Sequence, residues 1–241
     1  MDKKIIYVYS TKGGVGKSTI SINLAFYLKK IHKKVTLLDM DFAGPSIPLL
    51  LEKNYKNKLK MKNFYIIPFK KNGLNISSIG FIKSPNEISF LTGKYLEGAI
   101  NQFLNEELFK ISDIIIVDMP PGFGEFHRYL FTNYPGKVIL ITIPHFLSKE
   151  NLKRGLTLLK HINIPILEII ENMAYFECLN CKKKHQIFGE NITKKEFPFK
   201  IIQIPFNINL EKSVLSKQKM FSKNIDNIFK EIASDIINEV Q

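Results

Sequence analysis

The chain has 241 residues, 45% hydrophobic and 24% charged, with a formal net charge of +13. That is length and composition enough for one soluble domain with a full core, and it argues against a disordered or fibrous chain. No apolar stretch approaches the roughly 18–20 residues of a membrane span, and the start, MDKKIIYVYS, does not read as a signal peptide, because a glycine-rich loop follows where a cleavage site would be expected. The charge is nearly all lysine, with Arg128 and Arg154 the two arginines. Readers of bases and phosphates favour the arginine fork, so nucleic acid is disfavoured as a partner. With two cysteines and no leader the chain is expected to be cytoplasmic, where free thiols persist.

In chain order, KIIYVY (4–9) is the first predicted strand and runs straight into STKGGVGKST (10–19), with a predicted helix over 17–30. Strand, glycine-rich loop and helix in that order are the context in which the pattern means phosphate binding. Gly13, Gly14 and Gly16, with Val15 between them, let successive backbone N–H groups face one anion, and the helix N-terminus adds its positive end. Lys17 is placed to reach the β- and γ-phosphates, Ser18 to coordinate Mg²⁺, and Thr19 to meet a more inward phosphate oxygen. Counting back from Gly16, Thr11 stands where the general pattern has its first glycine, and Lys12 follows it.

KVTLLD (34–39) predicts a second strand ending in DMDFAGPS, with Asp39 and Asp41 at the sheet's carboxyl edge, where open α/β sheets bind ligands. The run from Lys53 to Lys71, interleaved with Tyr55, Phe64, Tyr65 and Phe69, is read as a solvated face, with a partner or nucleic-acid surface as the alternative. A helix is predicted over 93–109. DIIIVD (113–118) is a strand carrying Asp118 at its end, before the Pro120-Pro121-Gly122 turn. KVILIT (137–142), PILEII (165–170) and KIIQI (200–204) are further strands, and 148–161 and 223–240 further helices. The strands are short, β-branched and nearly continuous in hydrophobicity, as strands covered on both faces are. The rhythm predicts one doubly wound α/β domain over 1–241, its mostly parallel sheet flanked by helices. In the last helix Ile225, Ile228, Phe229, Ile232, Ile236 and Val240 recur at helical spacing, while Asp226, Glu231, Asp235 and Glu239 offset Lys223 and Lys230. That face is expected on the sheet and not on a membrane.

The two cysteines fall in ENMAYFECLNCKKKHQIFG (171–189) as Cys178 and Cys181. Two thiolates cannot close a tetrahedral site or hold a four-iron cluster, whereas two copies about a twofold axis supply four. Zinc on the same sulfurs, a local site completed by His185, a redox pair and a purely structural pair are the alternatives at this point. Lys182, Lys183 and Lys184, in what reads as a loop, favour thiolate.

The loop KGGVGKS resembles the deviant Walker A motif of the SIMIBI class of P-loop ATPases, which includes MinD, ParA and the nitrogenase iron protein. DxDxxGPS, NISSIGF (75–81), DMPPGFG and ENMAYFECLNC…IFG occur in the order seen in the narrower Mrp/ApbC family of iron–sulfur cluster carriers, and the resemblance runs from about residue 3 to about 210. It implies a homodimer in which Lys12 contacts the partner's nucleotide. It further implies Asp39 near the Mg²⁺ shell, Asp41 orienting the attacking water, and Asp118 as the Walker B carboxylate holding Mg²⁺ through water. The Gly122 N–H is expected to sense the γ-phosphate, Asn172 to meet the adenine edge and favour ATP, and the segment from Pro205 to flank the base. Cys178 and Cys181 would share a [4Fe–4S] cluster across the dimer and deliver it to apo iron–sulfur proteins. A MinD- or ParA-type positioning ATPase, switching on DNA or a protein partner, is the alternative function. Where the family commonly has Trp-Arg-Gly-Pro this chain has Leu91-Thr92-Gly93-Lys94, Glu125 replaces Asp, and Phe123 stands in place of a small Thr.

Overall fold

The computed structural model describes residues 5–31, 34–51, 59–62, 65–81, 92–178, 180–207, 210 and 223–240. Among them are twelve strands, β1 (Ile5–Tyr9), β2 (Val35–Asp39), β3 (Lys60–Lys62), β4 (Tyr65–Ile67), β5 (Phe69–Lys71), β6 (Leu74–Ser78), β7 (Ile114–Asp118), β8 (Lys137–Thr142), β9 (Ile166–Glu171), β10 (Phe176–Glu177), β11 (Lys184–His185) and β12 (Ile201–Gln203). The helices are α1 (Lys17–Ile31), α2 (Ile47–Leu51), α3 (Gly93–Phe103), α4 (Glu106–Ile111), α5 (Glu125–Asn133), α6 (Phe146–His161) and α7 (Lys223–Val240).

Eight strands form one sheet in the order β12-β9-β8-β1-β7-β2-β6-β5. All its pairings are parallel except the edge hairpin of β5 with β6. The doubly wound, mostly parallel sheet is therefore present, and each of the six expected strands is in it. Side chains alternate across it. Ile6 and Val8 of β1 join Leu24, Leu28, Phe229 and Ile232 on the face covered by α1 and α7. Ile5, Tyr7 and Tyr9 join Leu96, Phe103, Leu130 and Leu152 on the face covered by α3, α5 and α6. Ile225, Phe229, Ile232 and Ile236 of α7 are thus core, with Ile228 packed against them, as the acidic polar face of the helix suggested. No helix among the described residues is long and apolar enough to cross a membrane.

Beyond the short strands β3, β4, β5, β10 and β11 and helices α2 and α5, which were not among the expected elements, three local features depart from the expectation. The helix expected over 93–109 is two helices, because the Asn105 side chain accepts the Leu108 N–H at 3.0 Å and caps α4. α6 starts two residues early, with His145 Nδ1 accepting the Leu147 N–H at 3.2 Å. β6 was not expected as a strand: its Asn75, Ser77 and Ser78 are buried and interrupt the apolar run. Of the lysine-rich run, Tyr55 and Phe64 lie outside the described residues, as does Leu91. Phe69 packs edge-on against Phe81 at 4.6 Å and belongs to the core.

Parallel strands align all their carboxyl ends along one edge. Neighbouring β1 there, the order reverses between β7 and β8, which is where such sheets open a crevice.

Candidate functional site

The loop after β1 lines a cleft of about 400 Å³ together with Asp41, Ser46, Leu49, Leu50 and Pro121. All of Lys12, Gly13, Gly14, Val15, Gly16, Lys17, Ser18 and Thr19 contribute to it, so the structure brings the predicted phosphate loop and Asp41 together. Gly14 and Gly16 hold φ of +77° and +82°, a conformation L side chains rarely adopt. At Gly16 space is excluded as well: an added Cβ would lie 2.3 Å from Asn172 Nδ2. Helix α1 then starts with Ile20 N donating to Gly16 O at 3.0 Å.

Behind the loop lie two buried carboxylates on adjacent strands, since Asp39 of β2 pairs in register with Asp118 of β7. Lys17 Nζ lies 3.3 Å from Asp118 Oδ1, and the Ser21 hydroxyl donates to the same oxygen at 2.9 Å. Asp118 Oδ2 is buried without a hydrogen-bond partner among the described residues. Asp39 is engaged on both oxygens, accepting from Asp41 N (3.2 Å), Ile47 N (3.2 Å) and Ser78 Oγ (2.9 Å). Burial pushes the Asp118 carboxyl up, against the pull of Lys17 and the Ser18 and Ser21 hydroxyls. Burial and then the neighbouring Asp118 charge push Asp39 up. An orphaned carboxylate oxygen beside a second buried carboxylate and the Ser18 hydroxyl is a hard-oxygen donor set that fits Mg²⁺, with Asp118 having the coordinating atom to spare and Asp39 spending its own on the 41–47 loop. Asp41 Oδ1 accepts the Gly44 N–H at 2.9 Å on the cleft rim.

Asn172, buried at the end of β9, donates from Nδ2 to Val15 O at 2.9 Å and thereby braces the phosphate loop. Pro205 is buried just beyond β12, next to the Ala174 N to Ile204 O bond that continues the strand pairing. Neither residue is among those lining the cleft. The Gly122 N–H, expected to face phosphate, donates to Ser10 O at 3.3 Å.

Cys178 and Cys181 sit on the turn of a two-stranded hairpin, in which Phe176 pairs with His185 and Glu177 with Lys184. Cys178 N donates to Lys183 O and Lys182 N to Cys178 O, at 3.0 and 2.9 Å, and Lys182 takes φ +57° to close the turn. Cys178 is half-buried and Cys181 exposed. The backbone N–H groups of Cys181 and Asn180, aimed at the Cys178 sulfur, hold its thiol below the ordinary range, helped by the Cys181 thiol and Lys182. His185 is in the hairpin stem, and among the described residues no group of three or more His, Cys, Asp or Glu is arranged to hold a metal. The local site completed by His185 is therefore not formed, and a hairpin turn is not the helix start of a redox pair.

Three contacts were not foreseen. Ser21 lies one helical turn after Lys17 and so faces the same carboxylate; the spacing alone could have shown it. Thr11 Oγ1 donates to Asn151 O of α6 at 3.0 Å. Glu171 accepts from Ile192 N at 2.8 Å and Gln203 Nε2 at 3.1 Å. The last two join residues far apart in sequence and carry no local pattern.

A doubly wound sheet with a lysine-bearing glycine loop at its switch point defines a P-loop NTPase. The family model described as NUBPL iron-transfer P-loop NTPase, under ParA, matches residues 2–241, and the chain belongs to that family. It is 33% identical over 217 residues to the iron-sulfur cluster carrier protein of Haemophilus influenzae, covering 88% of this chain and 59% of that protein. The same chain spans little more than half of the Helicobacter pylori carrier protein, at 37% identity, 78% of this chain and 52% of that one. The iron-sulfur cluster transfer protein NUBPL of Dictyostelium discoideum is 30% identical over 250 residues, covering 99% and 77%. Among solved structures, the nucleotide-binding protein of Archaeoglobus fulgidus in complex with ADP superposes with a TM-score of 0.70 at 29% identity, covering 95% of this chain and 89% of that one. The cell division ATPase MinD of Pyrococcus furiosus shares the fold, with a TM-score of 0.66 at 17% identity over 99% and 100% of the two chains.

Proposed function

We propose that this chain binds and slowly hydrolyses ATP and carries a [4Fe–4S] cluster, held between the cysteine pairs of two copies, to apo iron–sulfur proteins. The carrier and transfer proteins it resembles support the class of task. The observation that carries the reading is one strand end. Asn172 braces Val15 and Gly16 of the phosphate loop, and six residues later the same segment presents Cys178. A displacement of the loop by nucleotide is therefore felt at the base of the cysteine hairpin.

In the proposed cycle ATP phosphates settle on the loop N–H groups and the start of α1. Lys17 exchanges its contact with Asp118 for phosphate oxygens. Ser18 and Asp118, backed by Asp39, would hold Mg²⁺, which neutralises phosphate charge when bound. Asp41 orients the attacking water, and Lys12 supplies positive charge to the partner's nucleotide, as an arginine finger does in other NTPases. The cargo rests on four thiolates, two per copy, so a change in dimer packing alters its hold on the cluster. In this reading the chain is one domain over 1–241, acts in the cytoplasm, and needs neither membrane nor nucleic acid. Zinc is the competing occupant of the sulfurs.

Anaerobic reconstitution tests it. Wild type should take up about four irons per two chains, with a visible iron–sulfide absorption band that Cys178→Ala abolishes, and should pass them to an apoprotein faster with ATP than without. Stoichiometric zinc and no bound cluster would defeat the reading, and salt-sensitive retention on DNA only in the ATP state would favour a positioning ATPase.

A further inference from the structure

Among the described residues, three hydrogen bonds of unequal kind hold the turn after Asp118. Met119 N donates to Val8 O at 3.1 Å, continuing the sheet, and Gly122 N donates to Ser10 O at 3.3 Å. Pro120 and Pro121 have no N–H to offer, yet the Pro120 carbonyl is fixed by His127 Nε2 at 3.0 Å, from the first turns of α5. A carbonyl only accepts, so Nε2 carries the hydrogen. Nδ1 is buried without a partner among the described residues. The ring is 4% exposed, with Tyr9 at 5.4 Å, Phe123 stacked at 5.8 Å and Phe126 edge-on at 5.6 Å. Burial pushes the imidazole down to about 4, so it stays neutral and keeps a single donated hydrogen. This is a lone directional bond inside a cage of rings. Downstream of it Pro121 reaches the cleft, and Gly122 holds φ +86° with open space where a Cβ would be. The upstream half of the turn is thus anchored, and among the described residues the downstream half hangs on one long backbone bond to a carbonyl of the phosphate loop.

We propose that His127 is a positioning residue for hydrolysis: by holding the Pro120 carbonyl it confines the response to nucleotide to Pro121 and Gly122, whose N–H exchanges Ser10 O for a terminal phosphate oxygen. This rests on the ATPase reading above and assigns a role to a side chain outside the cleft. His127→Phe keeps a ring in the cage without a donor, and His127→Gln restores an N–H. Phenylalanine should lower kcat about tenfold, the order expected for one lost hydrogen bond, with KM for ATP within about twofold, and glutamine should recover most of it. A merely structural histidine would lower the melting temperature in both variants without that split. Amide exchange with and without a non-hydrolysable imido analogue of ATP gives a second readout. In wild type the change should fall on Gly122 and Phe123, and in the phenylalanine variant it should spread to Met119. Wild-type kcat and an unchanged exchange pattern in His127→Phe would overturn the proposal. A wild type that binds the analogue but hydrolyses no ATP would sink the ATPase reading instead, and the Met119 exchange would still decide for or against the anchor. Should the phenylalanine variant not fold, His127→Met supplies the same contrast.

Discussion

Gly155, in the middle of α6, is a position where alanine should help: the helix gains about 1 kcal/mol on propensity alone. Here it should do harm. A Cβ at Gly155 would lie 2.8 Å from Thr11 Cγ2, whereas carbon atoms settle at about 3.5–4.0 Å, so something must yield by roughly 0.7 Å or more. The side chain that must give way is short and β-branched, and its hydroxyl is tied to Asn151 O at 3.0 Å on the same helix. Overpacking of this kind costs about 1–3 kcal/mol. Set against the propensity gain, Gly155→Ala should change global stability by no more than about 2 kcal/mol in the unfavourable direction. Thr11 opens the phosphate loop, so the displacement should also weaken ATP binding by about tenfold, equivalent to about 1.4 kcal/mol. Thr11→Ser removes the offending methyl and keeps the hydroxyl. In the double variant most of the affinity should return, with a coupling of about 1 kcal/mol or more. Fluorescent-nucleotide titration and urea unfolding of the two single variants and the double one measure this. Gly155→Ala binding ATP like wild type, or strictly additive changes, would refute the packing argument.

Three other outcomes are expected. Glu168 is wholly buried on β9, and burial, followed by the charge of Asp235, pushes its carboxyl up to about 9. A raised carboxyl binds its proton more tightly when folded, so its contribution is complete below about pH 4.5 and is lost as pH rises towards 9, at up to about 1.4 kcal/mol per pH unit. Glu168→Gln should flatten that slope and be more stable than wild type at pH 8, on the order of 2–4 kcal/mol; parallel urea midpoints from pH 5 to 9 would contradict it. Asn172→Asp keeps the shape but turns a donor towards Val15 O into an acceptor beside the phosphate site, so it should weaken ATP binding more than Asn172→Ala does, by about tenfold against about threefold; equal losses in a binding titration would show that the donated hydrogen is unimportant. Cys178 should alkylate with a pH midpoint below that of a simple cysteine peptide, about 8.5, as followed by mass spectrometry on Cys181→Ser; a midpoint at or above the peptide's would remove the case for a pre-formed thiolate.

The parts legible in the sequence were those written in consecutive residues. IIYVY, VTLLD and IIIVD are runs that make sense only when covered on both faces, and GGVGKST follows the first of them directly. β6 was hidden because its buried polar residues break the apolar run, and the partners that take Ser78 and the Asn75 amide nitrogen, Asp39 and Thr36, lie on another strand. The hairpin under the cysteines was hidden for another reason: strands of two residues carry no periodicity, and Lys184 looks solvated until its ammonium is seen 4.4 Å over the Tyr175 ring. His127 and Gly155 gave no signal at all, since a histidine in a helix and a glycine in a helix are ordinary until the loop each one touches is in place.

The last residue of β9, Glu171, and the residue that follows it, Asn172, between them hold both ends of the cysteine segment. Asn172 fastens its departure to the phosphate loop, while Glu171 receives the returning chain at the Ile192 N–H. The excursion thus leaves and re-enters within one dipeptide's reach, as a pendant loop does. Such an arrangement is separable. Substituting the tip, lengthening it or exchanging it for another ligand set would leave the eight-stranded sheet untouched, provided that Glu171 and Asn172 keep their bonds. If the proposed function holds, a nucleotide-binding domain of this shape acquires, loses or trades its cargo grip by grafting at one point, without renegotiating its core.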